Sequence, residues 1–190
     1  MDVDLPILLF ENESEWREWL DLKGVQSKGI WMRIAKKKSD LQSITYNQAL
    51  TVALCYGWID GLKKAYDEKS WIQRFTLRGK NSVWSLINKE KALLLIDIGE
   101  MKPQGMVAIE AAKKNGKWDA AYAPQSSIVV PEDFAMLLNE NIKAKAYFEQ
   151  LNSTNRYAIL IRLHSSNTKN RADKMAKFID MLNNGKKIYE

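Results

Sequence analysis

Apolar residues near the start of the chain recur with helical spacing. In residues 14–22, Trp16 and Trp19 fall on one face and charged side chains fall on the other. This pattern predicts an amphipathic helix that Ser14 can cap and that ends near Gly24.

The next part of the chain alternates between helical and strand-like patterns. Residues 46–56 are largely apolar, follow Thr45 and precede Gly57, which predicts a buried helix. Segments rich in β-branched and aromatic residues predict strands at 29–35, 58–66 and 70–76, the second of them interrupted by Gly61. Together these segments predict a small antiparallel sheet packed with helices.

The rest of the chain has helical patterns with one interruption. We expect helices at 82–99 and 103–114, and four more helical segments after Pro131. The interruption contains proline and serine and is typical of a linker. The predicted fold class is α+β, with a domain at 1–121, a linker at 122–130 and an all-helical subdomain at 131–190.

Composition limits the chemistry that the chain can carry. Of 190 residues 46% are hydrophobic, which is enough for a sizeable core. A single Cys and a single His exclude an intrachain disulfide and a zinc site built from Cys and His. We therefore expect no metal site, no cofactor and no catalytic triad. Cys55 is expected in the core, and His164 at a helix end.

The net charge of +6 is placed unevenly. Residues 1–140 hold 19 basic and 19 acidic side chains, whereas residues 141–190 hold 10 basic and 4 acidic ones. One hypothesis is therefore an interaction module that binds nucleic acid or an acidic protein partner through its basic C-terminal helices. The side chains that would carry it are Lys169, Arg171, Lys174 and Lys177. The alternative is that these lysines simply form a solvated helix face.

The N-terminal stretch and the lengths of the apolar runs bear on the cellular location of the protein. The short apolar stretch 7–10 has no positively charged segment before it, unlike a signal peptide, and no apolar run approaches the length of a membrane span. Together with the lone Cys55, this favours a cytoplasmic location.

Polar groups able to bind a ligand are densest between Gly57 and Asn88. Arg74 and Arg78 flank the end of a predicted strand, and paired guanidiniums can grip a carboxylate or phosphate. Ser82 is expected where the next helix begins, so its hydroxyl and the first amides could receive the same anion. The leading hypothesis is thus a cleft for a small anionic ligand, lined by Arg74, Arg78, Ser82, Asn88, Asp60, Trp58 and Trp84.

Two other interpretations of the same residues stay open. Ser82 can simply be a helix cap, Asp60 can pair with an arginine, and the tryptophans can be packing residues. Alternatively Asp60 or Asp67 can serve as the general base of an enzyme.

At these residues the chain resembles the bacterial YdeI/OmpD-associated, or bacteriocin-protection, family. The matching pieces are 53–61, 74–78 with 82–85 and Asn88, 99–101 and 116–118, and the part from Pro131 to Gly185 is similar to the helical module of that family. The chain departs from the pattern at Leu77, where the family often has Pro, and at Asn170, where a Thr is usual. The resemblance implies a role in bacteriocin tolerance or envelope stress and brings no catalytic residue with it.

Overall fold

A computed structural model describes residues 5–166 and 168–190 of the chain. Within these residues there are eight helices and four strands. They form two compact units, the first comprising residues 5–84 and 88–120 and the second residues 85–87, 121–166 and 168–190. The predicted α+β class, with helices in the C-terminal part, is confirmed.

The first unit contains a four-stranded sheet in the order β1-β2-β4-β3. Its strands are β1 (Ile7–Leu9), β2 (Ile30–Ala35), β3 (Trp58–Ala65) and β4 (Ser70–Leu77). β2, β4 and β3 pair antiparallel, as predicted. β1 was not predicted, and because it pairs parallel to β2 the sheet is mixed. Three residues are too few to establish an alternating pattern.

Four helices lie where the sequence predicts helices, and three of them begin and end within a residue of the predicted bounds. They are α1 (Glu13–Lys23), α2 (Tyr46–Cys55), α3 (Leu86–Asp97) and α4 (Pro103–Lys114). Thr45 caps α2 through a capping box with Gln48, as its position predicts. The cap of α1 is Asn12 and not Ser14, because the Asn12 side chain accepts the hydrogen bond from the Glu15 amide. The helix predicted from Ser82 begins only at Leu86.

One face of the sheet packs against helices, and we call it the inner face. Ile30, Phe75 and Asp60 are opposite one another across β2, β4 and β3, so they share this face. Trp16 of α1 packs against Phe75 and Trp58 with ring centroids 5.9 Å apart in each pair. The alternate residues, among them Trp31 and Arg74, therefore lie on the opposite, outer face.

The second unit is helical, apart from an isolated bridge between Ser85 and Tyr122. Its main helices are α5 (Glu132–Glu140), α6 (Ile142–Gln150), α7 (Ser153–His164) and α8 (Thr168–Asn183). Phe134, Phe148 and Leu163 are at the centre of its core. His164 ends α7, with its ring 6.1 Å from that of Tyr122.

A buried asparagine joins the last residues of the chain to this core. Asn155 on α7 is only 1% exposed. Its Oδ1 accepts hydrogen bonds from the amides of Ile188 and Tyr189, and its Nδ2 donates to the carbonyl of Tyr189 and to Oδ1 of Asn152.

Across the described residues, none of the helices has the length and apolar character needed to cross a membrane.

Candidate functional site

A cavity of about 320 Å³ lies in the first unit, between the end of β4 and helix α4. Its walls are mostly apolar, with Val25, Leu77, Trp84, Val107 and Ala108 among the lining residues. Val25, Leu77 and Val107 are exposed, Val107 at 69%. The volume falls at the lower end of the range of ligand pockets in proteins. We call this site the β4–α4 cavity.

Two glycines bring α4 close enough to form this wall. Gly57 has a φ of +72°, and a Cβ on it would lie 2.7 Å from the carbonyl oxygen of Gln104. A Cβ on Gly105 would collide with the carbonyl group of Cys55 and with the sulfur of Met101. The start of α4 therefore packs directly against the end of α2, because no side chains separate them.

Arg78 is the first charged group of the cavity. Its amide donates to the carbonyl of Gly57 at 2.9 Å, which joins the chain after β4 to the end of α2. Its guanidinium carbon lies 3.6 Å from the centroid of the Trp84 ring, and Nη1 donates to the carbonyl of Val83. Trp84 is buried and packs edge-on against Trp118 at 4.8 Å. The cation thus lies over a buried aromatic ring, in the arrangement of a cation–π contact.

The remaining polar lining comes from Lys80, Ser82, Gln104 and Asn115. Asn115 donates through Nδ2 to the carbonyl of Lys80, which ties the loop after β4 to the end of α4. Ser82 Oγ accepts a hydrogen bond from the amide of Gly79. Ser82 therefore closes a turn, and the prediction that it begins a helix is wrong.

The charges around the cavity have one sign. Arg78 and Lys80 line it, and no Asp or Glu is among the described residues that do. Apolar walls lower the local dielectric constant, so an anion there would interact strongly with the two cations. The arrangement suits a molecule with an apolar body and an anionic group.

The structure places Arg74 elsewhere. It lies on the outer face of the sheet opposite Trp31, and a Cβ on Gly61 would lie 3.0 Å from its Nε. This Nε is buried and has no hydrogen-bond partner among the described atoms. Arg74 and Arg78 are four positions apart along extended chain, which puts their Cα atoms on the order of 13 Å from each other. The two guanidiniums do not form one pair.

Three more residues of the predicted cleft are also outside the cavity lining. Asp60 is on the inner face, where its Oδ2 accepts a hydrogen bond from the hydroxyl of Tyr46 at 2.8 Å. Trp58 is buried edge-on against the rings of Trp16 and Trp19. Asn88 lies in the first turn of α3. Of the seven predicted ligand-binding residues, the cavity thus brings together Arg78, Ser82 and Trp84.

Asp67 stabilises the turn between β3 and β4. Its Oδ1 accepts hydrogen bonds from the amides of Lys69 and Ser70 and from the Ser70 hydroxyl, while Oδ2 faces Arg33 Nη2 at 2.7 Å. These contacts, the Ser70 hydroxyl above all, hold the pKa of Asp67 below its usual value. Neither Asp67 nor Asp60 lines the β4–α4 cavity.

Two titratable groups at the end of α2 have raised pKa values. Burial raises the pKa of the Cys55 thiol, which donates to the carbonyl of Thr51. Burial, together with a hydrogen bond to Asp21, raises the pKa of Tyr56 to about 12. Both groups stay protonated at neutral pH, so Cys55 is not an activated nucleophile.

Arg171, one of the basic residues of the C-terminal helices, is held by its own unit. Its Nε and Nη2 donate to the two carboxylate oxygens of Asp133, and Nη1 donates to the carbonyl of Leu163. The bidentate contact lowers the pKa of Asp133. Lys169, Lys174 and Lys177 also lie on α8.

Among the described residues no group of three or more His, Cys, Asp or Glu side chains could hold a metal ion.

Patterns along the chain did not indicate the residues that α4 and the loop after β4 contribute to the cavity. Lys80 of that loop is far along the chain from Gln104, Val107 and Asn115, and these residues reach the same cavity only through tertiary packing. The one available signal was the pair Gly57 and Gly105, since glycine permits close approach of two backbones.

The fold and the cavity define an α+β protein with a helical C-terminal module. Residues 8–108 match the family model described as Domain of unknown function (DUF8412). Since this match covers just over half of the chain, the chain belongs to that family. Residues 127–185 match the family model described as Bacteriocin-protection, YdeI or OmpD-Associated, which confirms the resemblance for the C-terminal part. The motif pieces between residues 53 and 118 lie outside that match. Searches of curated proteins and of solved structures found no match.

Proposed function

We propose that the protein binds a small organic anion with an apolar body in the β4–α4 cavity. The observation that carries the proposal is the cavity lining: it is apolar on most sides, it includes Arg78 and Lys80, and its described residues include no carboxylate. A cytoplasmic location and a role in bacteriocin tolerance or stress belong to the same proposal. The location is supported by the single cysteine of the chain, and the role is supported by the resemblance of residues 127–185.

The stack of Arg78 on Trp84 supports an anion as the ligand. A guanidinium fixed against a ring at 3.6 Å loses little further conformational entropy when it contacts a carboxylate or phosphate. Preorganised donors of this kind give bidentate, directional contacts. Lys80, by contrast, is exposed and adds charge without fixed geometry.

The exposed apolar rim supports an apolar body in that ligand. Val25, Leu77 and Val107 surround the opening and lose their water when a hydrocarbon or aromatic group enters. Each Å² of apolar surface that is removed from water contributes about 25 cal/mol to the binding free energy. This contribution offsets the entropy that the ligand loses on binding. Inorganic phosphate alone would lack it.

Thermal unfolding with matched probe pairs tests this proposal. We would compare octanoate with octan-1-ol, benzoate with benzyl alcohol, and adenosine monophosphate with inorganic phosphate. An anion present at about 100 times its Kd stabilises the folded state by about 2.7 kcal/mol, which corresponds to several degrees. We expect an apolar anion to raise the melting temperature. The two alcohols, which lack the charge, and inorganic phosphate, which lacks the apolar body, should leave it unchanged.

Two variants and one control locate the binding. Arg78→Gln removes the charge and Ala108→Leu fills the cavity without changing any charge, so both are expected to abolish the shift. Arg74→Gln removes an equal charge from the outer face and should keep it. Near-ultraviolet circular dichroism of the tryptophans checks that each variant is folded. Equal shifts for the acid and the alcohol, or a loss in Arg74→Gln that equals the loss in Arg78→Gln, would refute the proposal.

A further inference from the structure

The outer face of the sheet carries aromatic and basic side chains in adjacent positions. Trp31 is directly opposite Arg74, and Arg33 is directly opposite Ile72. Lys64 on β3 is opposite Ile72 from the other side. Alternation of side chains along a strand places all five residues on this one face.

Cations lie over rings at two places on this face. Lys64 Nζ is 4.6 Å from the centroid of the Trp31 ring, and the Arg33 guanidinium carbon is 5.4 Å from that of Tyr66. Tyr66 is 49% exposed, and Lys64 is exposed as well. Ile7 and Leu9 of β1 are also exposed and extend the apolar surface beside Trp31 and Arg33.

The charge of this face is positive. Arg33 is paired with Asp67, but Lys64 and Arg74 make no ion pair with any carboxylate in the part of the chain that the structure describes. Lys36 donates to the carbonyl of Asp67, which brings the run 36–38, three consecutive lysines, to the hairpin end of the same sheet. Glu68 is the other acidic residue of that hairpin turn.

From this arrangement we infer that the outer face binds single-stranded nucleic acid. Bases stack on aromatic rings whatever their sequence, and lysine and arginine side chains neutralise the adjoining phosphates. The sheet is three strand spacings wide, on the order of 14 Å, which is room for two or three stacked bases. A paired duplex hides its base faces, so it could use only the charges. An acidic peptide would use the lysines but would gain nothing from Trp31 and Tyr66.

Fluorescence anisotropy with labelled oligothymidylate and oligouridylate of about 12 nucleotides tests this inference. We expect a dissociation constant in the micromolar range at about 50 mM salt and a loss of tenfold or more at about 200 mM. A duplex of equal length should bind more weakly, and poly-glutamate should compete poorly.

Lys63 and Lys64 provide a matched pair of variants. They are neighbours on one edge strand, both are exposed and each lies over a tryptophan, but Lys63 is on the inner side, over Trp71. We expect Lys64→Ala to weaken binding and to reduce the salt dependence by about one counterion, and Lys63→Ala to do neither. Trp31→Leu keeps an apolar strand residue but removes the ring, and it should weaken binding about tenfold.

Several results would overturn the inference. One is an equal loss of affinity in Lys63→Ala and Lys64→Ala, and another is an unchanged affinity in Trp31→Leu. The others are a duplex that binds as tightly as the single strand, and no binding at low salt. A change confined to Arg78→Gln would instead assign the nucleic acid to the β4–α4 cavity and exclude the outer face.

Discussion

The two compact units use arginine in different ways. In the helical unit, three nitrogen atoms of the Arg171 guanidinium donate hydrogen bonds, two to the Asp133 carboxylate and one to the carbonyl of Leu163. The charge of Arg171 is therefore neutralised within the fold. In the sheet-containing unit, Arg78 is stacked on Trp84 and lines a cavity whose described lining has no acid. The two arginines differ in what surrounds them: Arg171 is bonded to a carboxylate of its own unit, whereas Arg78 lines a cavity whose described lining residues include no Asp or Glu. Residue type alone does not distinguish the two cases.

The largest effect is expected from the internal polar contacts of the helical unit. Asn155→Ala leaves the amides of Ile188 and Tyr189 and the carbonyl of Tyr189 without their buried partner. We expect a loss of about 3 kcal/mol in the free energy of unfolding, measured by chemical denaturation. Asn184→Ala is the control, because Asn184 is exposed just beyond α8 and its side chain donates to Asp180, four residues earlier. It should cost less than about 0.5 kcal/mol. Similar losses in both variants would mean that Asn155 does not hold the unit together.

The next effect concerns the wall of the cavity. Gly57→Ala places a Cβ in the left-handed region and against Gln104, so we expect a loss of about 2 kcal/mol in stability and weaker anion binding. Gly116→Ala is the control, since Gly116 has a similar φ of +74° but no atom within 4 Å of an added Cβ. It should cost only about 1 kcal/mol. Equal costs would show that α4 does not pack tightly on Gly57.

A smaller effect is expected from the ion pair between Arg171 and Asp133, and it tests whether this pair stabilises the folded state. Arg171→Met should cost about 1.5 kcal/mol at neutral pH. The pKa of Asp133 is lowered from 3.8 by Arg171, so this contribution is complete above about pH 4 and disappears as the pH falls through the lowered value. Denaturation at several pH values should therefore show wild type and variant converging in acid. A difference that stays constant with pH would contradict the ion pair.

The smallest effect separates a turn residue from a helix cap. Ser82→Ala removes one exposed acceptor for the Gly79 amide and should change the free energy of unfolding by less than about 0.5 kcal/mol. Thr45→Ala removes a capping box and should cost about 1 kcal/mol. A loss of about 1 kcal/mol or more in Ser82→Ala would restore its assignment as a cap.

Local patterns were sufficient to predict most elements of the fold. The apolar run after Thr45 and the strand formers of β2 and β4 gave their positions within a residue or two. β1 was missed because a three-residue strand that pairs parallel needs no turn signal. The start of α3 was placed four residues early, since a serine hydroxyl closes a turn as readily as it caps a helix.

The candidate site was predictable only where its residues are neighbours in sequence. Arg78, Ser82 and Trp84 lie within seven positions and meet in one cavity. Asp60 and Arg74 were grouped with them, but the register of β3 and β4 decides their faces, and it puts them on opposite sides. Pairing register and the approach of α4 are set by long-range packing, which a pattern along the chain does not contain.

The irregularity in β3 bears on how the protein avoids self-association. β3 is an edge strand, and its pairing with β4 shifts register between Asp60 and Lys63. An exposed, regular edge would offer hydrogen-bonding groups to the edge of another molecule and so start aggregation. The bulge distorts that row of groups, and Lys63 and Lys64, which follow it directly, add positive charge that repels a second copy. The price of this protection is a weakened ladder at one edge of the sheet, so the amides near the bulge in β3 should exchange with solvent before those of the central strands β2 and β4.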